Sequence, residues 1–527
     1  MTQDRRRKAY LVGGGIASFA AAVYLIRDGG MAGEDIFVLE ESKVLGGSLD
    51  GAGNADQGYV IRGGRMLTYE AYSCTFDLLA SIPSLSDPDT SVSDEIHVFN
   101  EEHRSHAQAR LMRNREKVDV STLSLTNRDR LDMVKLMLAS EETLGRTRIE
   151  DHFAPEFFKT NFWLMWCTTF AFQPWHSAVE CKRYMLRFIQ EFPRLATLGG
   201  VKRTPYNQYD SIVAPVTRWL KARDVRFELD TRVTDLDFVH GAKGQAVERI
   251  HCISGDKTAE IIVKPDDLVF VTNGSMTAGS RLGSMTVPAT LGSAADGGAW
   301  TLWETLAQKH PDFGNPHAFY GNVAESKWLS FTVTLRDPAF FAAMEAFSGN
   351  KAGTGALVTF TDSNWLMSVV LAHQPHFINQ PSDSFVFWGY GLFPEEKGNF
   401  VGKKMADCTG ADILAELRGH LPFDAQASLN DATSNCIPCM MPFITAEFMP
   451  RVAGDRPPVR PTGTSNLAFI GQFCEMEDDV VFTVEYSVRS AQTAVYSLLN
   501  LDRPVPALYK GQHDPRVLLA AFEAMMR

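Results

Sequence analysis

The feature that most constrains the fold is a short strand, a glycine-rich turn and an alanine-rich helix near the start of the chain. The segment KAYLVGGGIASFAAAVYLIRDG contains the pattern Gly13-x-Gly15-x-x-Ser18. In dinucleotide-binding folds the first glycine allows a tight turn, the second lets the backbone approach a pyrophosphate, and small residues beyond let helix and strand pack closely. The free N–H groups at the start of such a helix favour phosphate. We therefore expect Gly13, Gly15, Ala17 and Ser18 to hold a nucleotide.

A second strand and a second glycine turn follow this fingerprint. The strand DIFVLEES (35–42) brings Glu40 to the spacing at which such folds keep an acid for a ribose hydroxyl. The loop VLGGSLDG (44–51) carries Gly47 and Ser48, and flavoproteins of the glutathione-reductase-like superfamily commonly have such a loop beside the cofactor. No second complete glycine fingerprint appears later in the chain, which disfavours a separate NAD(P)H domain. The sequence therefore predicts FAD as the cofactor.

Composition excludes several classes of protein. The chain has 527 residues and a formal charge of −12, which argues against nucleic acid as the main partner. No run approaches the roughly 18–20 apolar residues that span a bilayer, and glycines interrupt the apolar start before a signal-peptide core forms. Eight cysteines are scattered without a disulfide rhythm, and the single pair Cys436-x-x-Cys439 is typical of core residues rather than a metal site. We expect a cytoplasmic protein with reduced thiols and no metal.

Two later segments are predicted to return to the nucleotide-binding sheet. DDLVFVTNGSM (266–276) is a strand whose end places Asn273, Gly274 and Ser275 beside the cofactor. NLAFIGQFCEMEDDVVFTVEYSVRSAQTAVYSLL (466–499) gives a last strand and a helix under the flavin, with Phe482 and Thr483 at the helix start. The predicted fold class is α/β, an FAD-binding Rossmann-like (glutathione-reductase-like) domain with an antiparallel-sheet substrate domain and helical additions.

The rest of the chain is predicted to build the substrate region. EIHVF and HAQARLMR suggest a hairpin, 126–145 a helix capped by Thr126 or Asn127, and 300–430 an antiparallel sheet. The segment 157–175 holds eight aromatic residues, which either form a buried helix core or wall a long apolar pocket. The predicted divisions are an FAD-binding domain (1–80, 206–290 and 460–500), a channel region (81–205), a substrate domain (291–459) and a helical tail (501–527).

The stretch GYVIRGGRMLTYEAY (58–72) joins paired glycines to two arginines. The glycines allow a close backbone approach, so we expect Arg62, Gly63, Gly64 and Arg65 to lie against the flavin. Six phrases, GGSLDG, IRGGRM, RTPYNQYDS, VTNGSM, MPFIT and DDVVFTVEYSVRSAQTAVY, together resemble the oleate hydratases, also called the myosin-cross-reactive antigen family. The resemblance runs from about Lys8 to Leu499.

This resemblance implies an FAD-dependent hydration of a cis double bond in a free long-chain unsaturated fatty acid, with oleate giving 10-hydroxystearate. The FAD would work in its reduced form, FADH2, without net redox change. The family's proposed proton donor corresponds to Tyr206 of the YNQY segment, with Tyr209 less favoured. The polar residues implied for the substrate are Gln208, Thr433 and Asn435, and Cys439 stands near the position where many members have a histidine.

One position departs from the family pattern. The loop usually contains R-G-G-R-E-M, whereas this chain has Met66 directly after Arg65, so the family's glutamate is missing. The candidates to replace it are Glu70, water ordered by backbone groups, or the reduced flavin itself. Two other functions stay open: a fatty-acid double-bond isomerase or oxidoreductase on the same scaffold, and a non-catalytic flavin- and lipid-binding protein. The tail 514–527 is predicted to be an amphipathic helix that docks on the protein, with peripheral membrane contact as the alternative. A monomer is favoured over a homodimer.

Overall fold

A five-stranded parallel sheet begins with the strand that precedes the glycine fingerprint. The computed structural model describes residues 6–64, 66–241 and 244–527. The spatial order of the strands is Leu467–Ile470, Leu268–Thr272, Ala9–Val12, Ile36–Leu39 and Arg226–Glu228. Ala9 lies opposite Ile36 on one side and opposite Leu268 on the other. Because these strands are parallel, the turns that follow them leave the sheet at the same edge. The α/β, Rossmann-like fold class is as predicted.

Helices Ile16–Arg27 and Val484–Leu499 pack against each other beside this sheet. The small side chains of Ala20, Ala21 and Ala22 are fully buried, which lets the first helix approach its neighbours closely. Ser18 is also buried, and its Oγ lies 3.5 Å from Thr272 Oγ1. Ser18 therefore lies in the close contact between helix and strand that the glycine fingerprint requires.

Two further sheets complete the β structure. Three antiparallel strands, Thr231–Gly241, Gly244–Ser254 and Lys257–Ile262, form one of them. The other has eight strands in the order Arg281–Leu282, Ser434–Met441, Trp328–Leu335, Phe385–Gly391, Met367–Val370, Leu357–Phe360, Leu111–Arg113 and Glu116–Lys117. Within it, only Leu357–Phe360 and Leu111–Arg113 pair in parallel among the described residues. The antiparallel sheet predicted for 300–430 is confirmed and is larger than expected.

A small hairpin connects the nucleotide-binding part to the large sheet. Its strands are Gly51–Asn54 and Gly58–Ile61. The N–H of Tyr59 donates to Thr334 Oγ1 at 2.9 Å, and the N–H of Ile61 donates to Thr332 Oγ1 at 3.1 Å. The hairpin is thus anchored on the strand Trp328–Leu335 of the large sheet.

One predicted element is wrong. EIHVF lies in a helix, Val92–Glu102, whose first turn is capped by Ser91 Oγ accepting from the N–H of Asp94 at 3.0 Å. Val92, Ile96 and Phe99 are buried at helical spacing, and this period outweighs the short alternation that suggested a strand. A real hairpin follows at Leu111–Lys117.

The helix predicted near 126 is confirmed as Asn127–Leu138, with Thr126 and Asp129 forming a capping box. The tail helix is confirmed as Pro515–Met526. The other α-helices are Ser73–Leu79, Glu141–Leu144, Asn161–Phe170, Ala178–Arg187, Ala214–Lys221, Gly298–Lys309, His317–Tyr320, Val323–Ser326, Ala339–Ser348 and Gly410–His420.

The aromatic segment is mainly core, because none of its eight aromatic side chains lines any of the three cavities described below. Phe162 and Trp166 in the helix Asn161–Phe170 stack with centroids 5.5 Å apart and are fully buried, which is core packing. The end of the same helix faces a cavity described below. All eight cysteines are buried and free, and in the described ranges no helix is long and apolar enough to cross a membrane. The predicted domain boundaries stay a prediction.

Candidate functional site

A cavity lies at the carboxyl edge of the parallel sheet, where folds of this kind bind their ligands. Turns that follow four of the strands meet there. The predicted residues that line it are Gly13, Gly15, Ala17, Glu40, Gly47, Ser48, Gly274 and Ser275. The sequence interpretation missed Val233, Met276, Gly471 and Gln472, although Gly471 directly follows a buried strand and could have been found.

The two glycine turns form a single cradle. The N–H of Gly46 donates to the carbonyl of Gly14 at 2.8 Å. A Cβ on Gly47 would lie 3.2 Å from the Cα of Gly15, so side chains here would push the turns apart. No side chain caps the helix that starts after Gly15, which leaves its first N–H groups available to a phosphate. This arrangement fits a pyrophosphate.

Glu40 stands at the edge of the cavity, where the second strand ends. Its Oε2 accepts from the N–H of Gly14 at 2.5 Å, and its Oε1 accepts from the N–H of Ser42 at 2.8 Å. Both carboxylate oxygens are thus held in place and keep lone pairs for further donors. The geometry fits a ribose hydroxyl.

The other predicted cofactor residues have varied surroundings. Arg62 donates to Asp50 Oδ1 and to the carbonyl of Gly47, each at 2.7 Å, so it fixes the second glycine turn without lining the cavity. Asn273 is buried beside Gly274, and no described residue bonds its side-chain amide.

Thr483 caps the helix Val484–Leu499 by accepting from the N–H of Tyr486 at 3.1 Å, and it does not line the cavity. Phe482 lies in a more distant cavity, described below. Arg65 lies outside the described residues.

A second cavity adjoins the first, and Ser48 lines both. It contains the predicted residues Gly63, Gly64 and Gln208. The sequence interpretation did not single out its other members, Leu49, Asp50, Ile61, Phe99, Arg203, Thr204, Asn207, Gly353, Val370, Ala372, His373, His376 and Trp388. The signal that could have found some of them is the histidine-rich phrase HQPHF between two apolar strands.

A third cavity continues from the second. Gly64, Arg203, Val370 and Trp388 line both of them. Its remaining lining is mainly apolar and aromatic: Met66, Thr168, Thr169, Ala171, Trp328, Leu357, Tyr390 and Phe482. The three cavities therefore adjoin in sequence, from the glycine cradle to the end of the aromatic helix.

Arg203 and His376, both half-buried, bring a guanidinium and an imidazole to the wall of the second cavity. Burial lowers the pKa of Arg203 to about 10, and its Nε has no hydrogen-bond partner among the described residues. Burial also lowers the pKa of His376 to about 4, and the charges of Arg203 and His373 add to this effect. The cavity thus carries a cation beside a neutral imidazole at neutral pH.

The remaining predicted residues lie around these cavities without lining them. Tyr206 is half-buried between Thr204 and Asn207, and its N–H donates to Ser211 Oγ at 3.1 Å. Thr433 and Asn435 lie at the start of the strand Ser434–Met441, where Asn435 Nδ2 donates to the carbonyl of Gln57 at 2.8 Å.

Glu70, the carboxylate nearest to Met66 in sequence, also lies away from the three cavities. Its side chain is 38% exposed and 3.6 Å from Arg194. It is therefore poorly placed to replace the missing glutamate.

A glycine cradle at the carboxyl edge of a parallel sheet, with adjoining apolar cavities in a second sheet, defines a dinucleotide-binding protein with an enclosed ligand site. The fold is similar to that of putrescine oxidase bound to putrescine, with a TM-score of 0.53 and 12% identity over 94% of this chain and 100% of that chain. It is also similar to an oxidoreductase from Methanosarcina mazei, with a TM-score of 0.50 and 12% identity over 94% and 100% of the two chains. These likenesses concern the fold alone.

The chain belongs to the MCRA family, whose model matches residues 6–496. It is 43% identical to an oleate hydratase of Streptococcus pyogenes serotype M49 (strain NZ131), over 98% of this chain and 89% of that protein. It is 33% identical to a linoleate hydratase of Lactiplantibacillus plantarum, over 99% of this chain and 98% of that protein.

Proposed function

We propose that this protein is an FAD-dependent hydratase that adds water to a cis double bond of free long-chain unsaturated fatty acids. Oleate would give 10-hydroxystearate without net redox change. The observation that carries the proposal is the 43% identity, over 98% of the chain, to a protein named as an oleate hydratase. The adjoining cavities support it, because they offer a nucleotide cradle and an apolar space side by side.

The cradle residues would hold the cofactor. The N–H groups after Gly15 would bind the pyrophosphate, Glu40 the ribose, and Gly274 would let the flavin lie close to the backbone. Bound FAD in its reduced form would supply an electron-rich flavin ring to the site. Arg62 and Asp50 would keep the second glycine turn closed over it.

The acyl chain would occupy the second and third cavities. Trp328, Trp388 and Tyr390 would exclude water from most of the chain, so that water reaches only one olefinic carbon. Tyr206 stays the proposed proton donor. Gln208 lines the second cavity, whereas Thr433 and Asn435 would bind the carboxylate only if the substrate reaches the edge of the sheet near Gln57.

The test is to incubate the purified protein with FAD, a reductant and oleate in water enriched in heavy oxygen, and to identify the products by mass spectrometry. We expect a hydroxy acid that carries one heavy oxygen atom. An unchanged mass with a shifted double bond would favour the isomerase, and a lowered mass the oxidoreductase. FAD binding without turnover of any unsaturated acid tried would favour the non-catalytic protein, for which the absence of a glutamate at Met66 is the motivating observation.

We further propose a monomeric cytoplasmic protein that touches membranes peripherally. The tail helix docks on the protein through Ala521, Ala524 and Met525, which are buried. Apolar side chains on its other side are exposed together with those of the helix Asn127–Leu138, and Arg130 Nε joins the two helices by donating to the carbonyl of Met525 at 2.7 Å. The exposed residues are Leu131, Val134, Leu138, Leu518, Leu519, Phe522 and Met526, named here the tail face. Such a face suits a lipid surface, where free fatty acids dissolve.

A further inference from the structure

A histidine in the second cavity is fixed against the YNQY segment. His376 lies in the connection between the strands Met367–Val370 and Phe385–Gly391. Its carbonyl accepts from both the backbone N–H and the side-chain amide of Asn207, at 2.8 and 3.0 Å. Its own N–H donates to Gln380 Oε1 at 2.8 Å. The backbone on both sides of the imidazole is therefore held in place.

The imidazole itself has no hydrogen-bonding partner among the described residues. It lines the cavity, where Gly64 and Gln208 lie on neighbouring walls. Burial and the nearby Arg203 keep it unprotonated, with a pKa of about 4, which is close to the ordinary value of a glutamate, about 4.3. It thus offers a free nitrogen lone pair with the basicity of a carboxylate inside the cavity.

Other acceptors in this region are already engaged or badly placed. Asp50 lines the same cavity, but its Oδ1 is already paired with Arg62 Nε at 2.7 Å. Glu70 lies at the surface beside Arg194. Met66 carries no group that can take up a proton. His373 also lines this cavity, but its ring packs against those of Phe99 and His103, with centroids 5.1 and 4.5 Å away, whereas the backbone of His376 is fixed to the YNQY segment by Asn207.

We propose that His376 is the proton acceptor for the attacking water, in place of the glutamate that the chain lacks at Met66. This inference rests on the proposed hydratase function. A C–O bond forms between the water oxygen and one olefinic carbon, while one O–H bond of the water breaks and its proton passes to a ring nitrogen of His376. The other olefinic carbon receives a proton from the acid, for which Tyr206 is the proposed donor. The imidazolium then returns its proton through solvent to the tyrosinate, so atoms and charges balance and nothing is oxidised.

The test uses the full chain loaded with FAD, with oleate as substrate. In His376→Gln the side chain keeps a similar size and a hydrogen-bond acceptor but loses the base. We expect kcat to fall by about 10²–10³-fold, with KM and FAD binding within about threefold of wild type, because only the chemical step needs the base. His317→Gln, at an exposed site on the short helix His317–Tyr320, is the matched control and is expected to keep full activity.

A second variant keeps the proposal falsifiable. In the double variant His376→Gln with Met66→Glu, a carboxylate returns at the family's position, and kcat is expected to recover at least tenfold. If His376→Gln does not fold, His376→Asn replaces it in both arms. Wild-type kcat in the single variant, or no recovery in the double variant, overturns the role of His376. An inactive wild type would instead overturn the proposed function, and a loss seen only in Asp50→Asn would assign the base to Asp50.

Discussion

At the scale of single residues, the closest packing in the cradle is at Gly274. Its φ is +59°, and a Cβ there would lie 2.7 Å from Phe473 Cδ2 and 2.9 Å from Trp300 Cη2. Both rings are fully or almost fully buried and belong to one aromatic cluster. Neither ring has room to move away, so this glycine is required both by its backbone conformation and by its neighbours.

We therefore predict that Gly274→Ala destabilises the protein by about 1–3 kcal/mol more than a glycine replacement that meets only backbone strain. Gly402→Ala is the matched control, since Gly402 has a φ of +65° and nothing within 4 Å of its added Cβ. Urea unfolding followed by tryptophan fluorescence measures both. Equal losses in the two variants would show that the aromatic cluster yields freely.

Site residues could be predicted from the sequence only where their roles depend on segments that are close together in the chain. Gly13, Gly15 and Glu40 were predicted from the sequence because their roles depend on a strand, a turn and a helix that are adjacent in the chain. His376 and Arg203 were missed, because their shared cavity forms only when segments more than 170 residues apart meet. No local pattern carries that information.

At the scale of elements, a buried ionic cluster fastens the helix Ala178–Arg187 to the segment after Met449. Glu180 is fully buried and accepts from Arg451 Nε at 2.7 Å and from Arg456 Nη1 at 2.9 Å. Burial alone would raise its pKa, but the charges of Arg456, Arg451 and Arg183 outweigh burial and lower it to about 2. The carboxylate is thus the counter-charge for three arginines, one from its own helix and two from the segment after Met449.

Glu180→Gln should lower the free energy of unfolding by about 3–5 kcal/mol at pH 7, because it leaves the buried guanidinium of Arg456 without its paired carboxylate. Since the folded pKa lies below the unfolded value, this contribution is present above about pH 4.5 and is lost as the pH falls towards 2. The wild type should therefore lose its advantage over the variant in acid. Glu156→Gln, which breaks an exposed pair with Lys159, is the control, with a change of at most about 1 kcal/mol. Urea unfolding at pH 7 and at about pH 3, midway through the window of loss, distinguishes these outcomes.

Elements were predictable where one signal dominated. The capping box at Thr126 and the long apolar runs between 328 and 391 gave a helix and strands at the right places. The helix Val92–Glu102 was mistaken for a hairpin, because five residues are too few to separate alternation from a helical period. The parallel pairing of Leu357–Phe360 with Leu111–Arg113 joins segments that are far apart in the chain, and the sequence of neither segment indicates which strand it pairs with.

At the scale of the whole molecule, the tail face predicts that the protein works at a lipid surface. We predict that the wild type sediments with vesicles of zwitterionic phospholipid, and that Leu519→Ser with Phe522→Ser weakens this binding by at least about tenfold, because two apolar side chains no longer enter the lipid. Val287→Ser removes an apolar side chain that is 57% exposed elsewhere and should leave binding unchanged. Equal binding by all three proteins would place the contact on another surface.

The shared position of Ser48 has a kinetic consequence. Ser48 belongs to the walls of both the nucleotide cavity and the cavity beyond it, so a ligand bound in either cavity can contact the same side chain. In the apoprotein, a fatty acid bound in the second cavity would therefore compete with FAD for the space around Ser48. FAD would then bind the apoprotein slowly when free fatty acid is present. The geometry of the two cavities would thus favour an order of binding in which the nucleotide precedes the lipid.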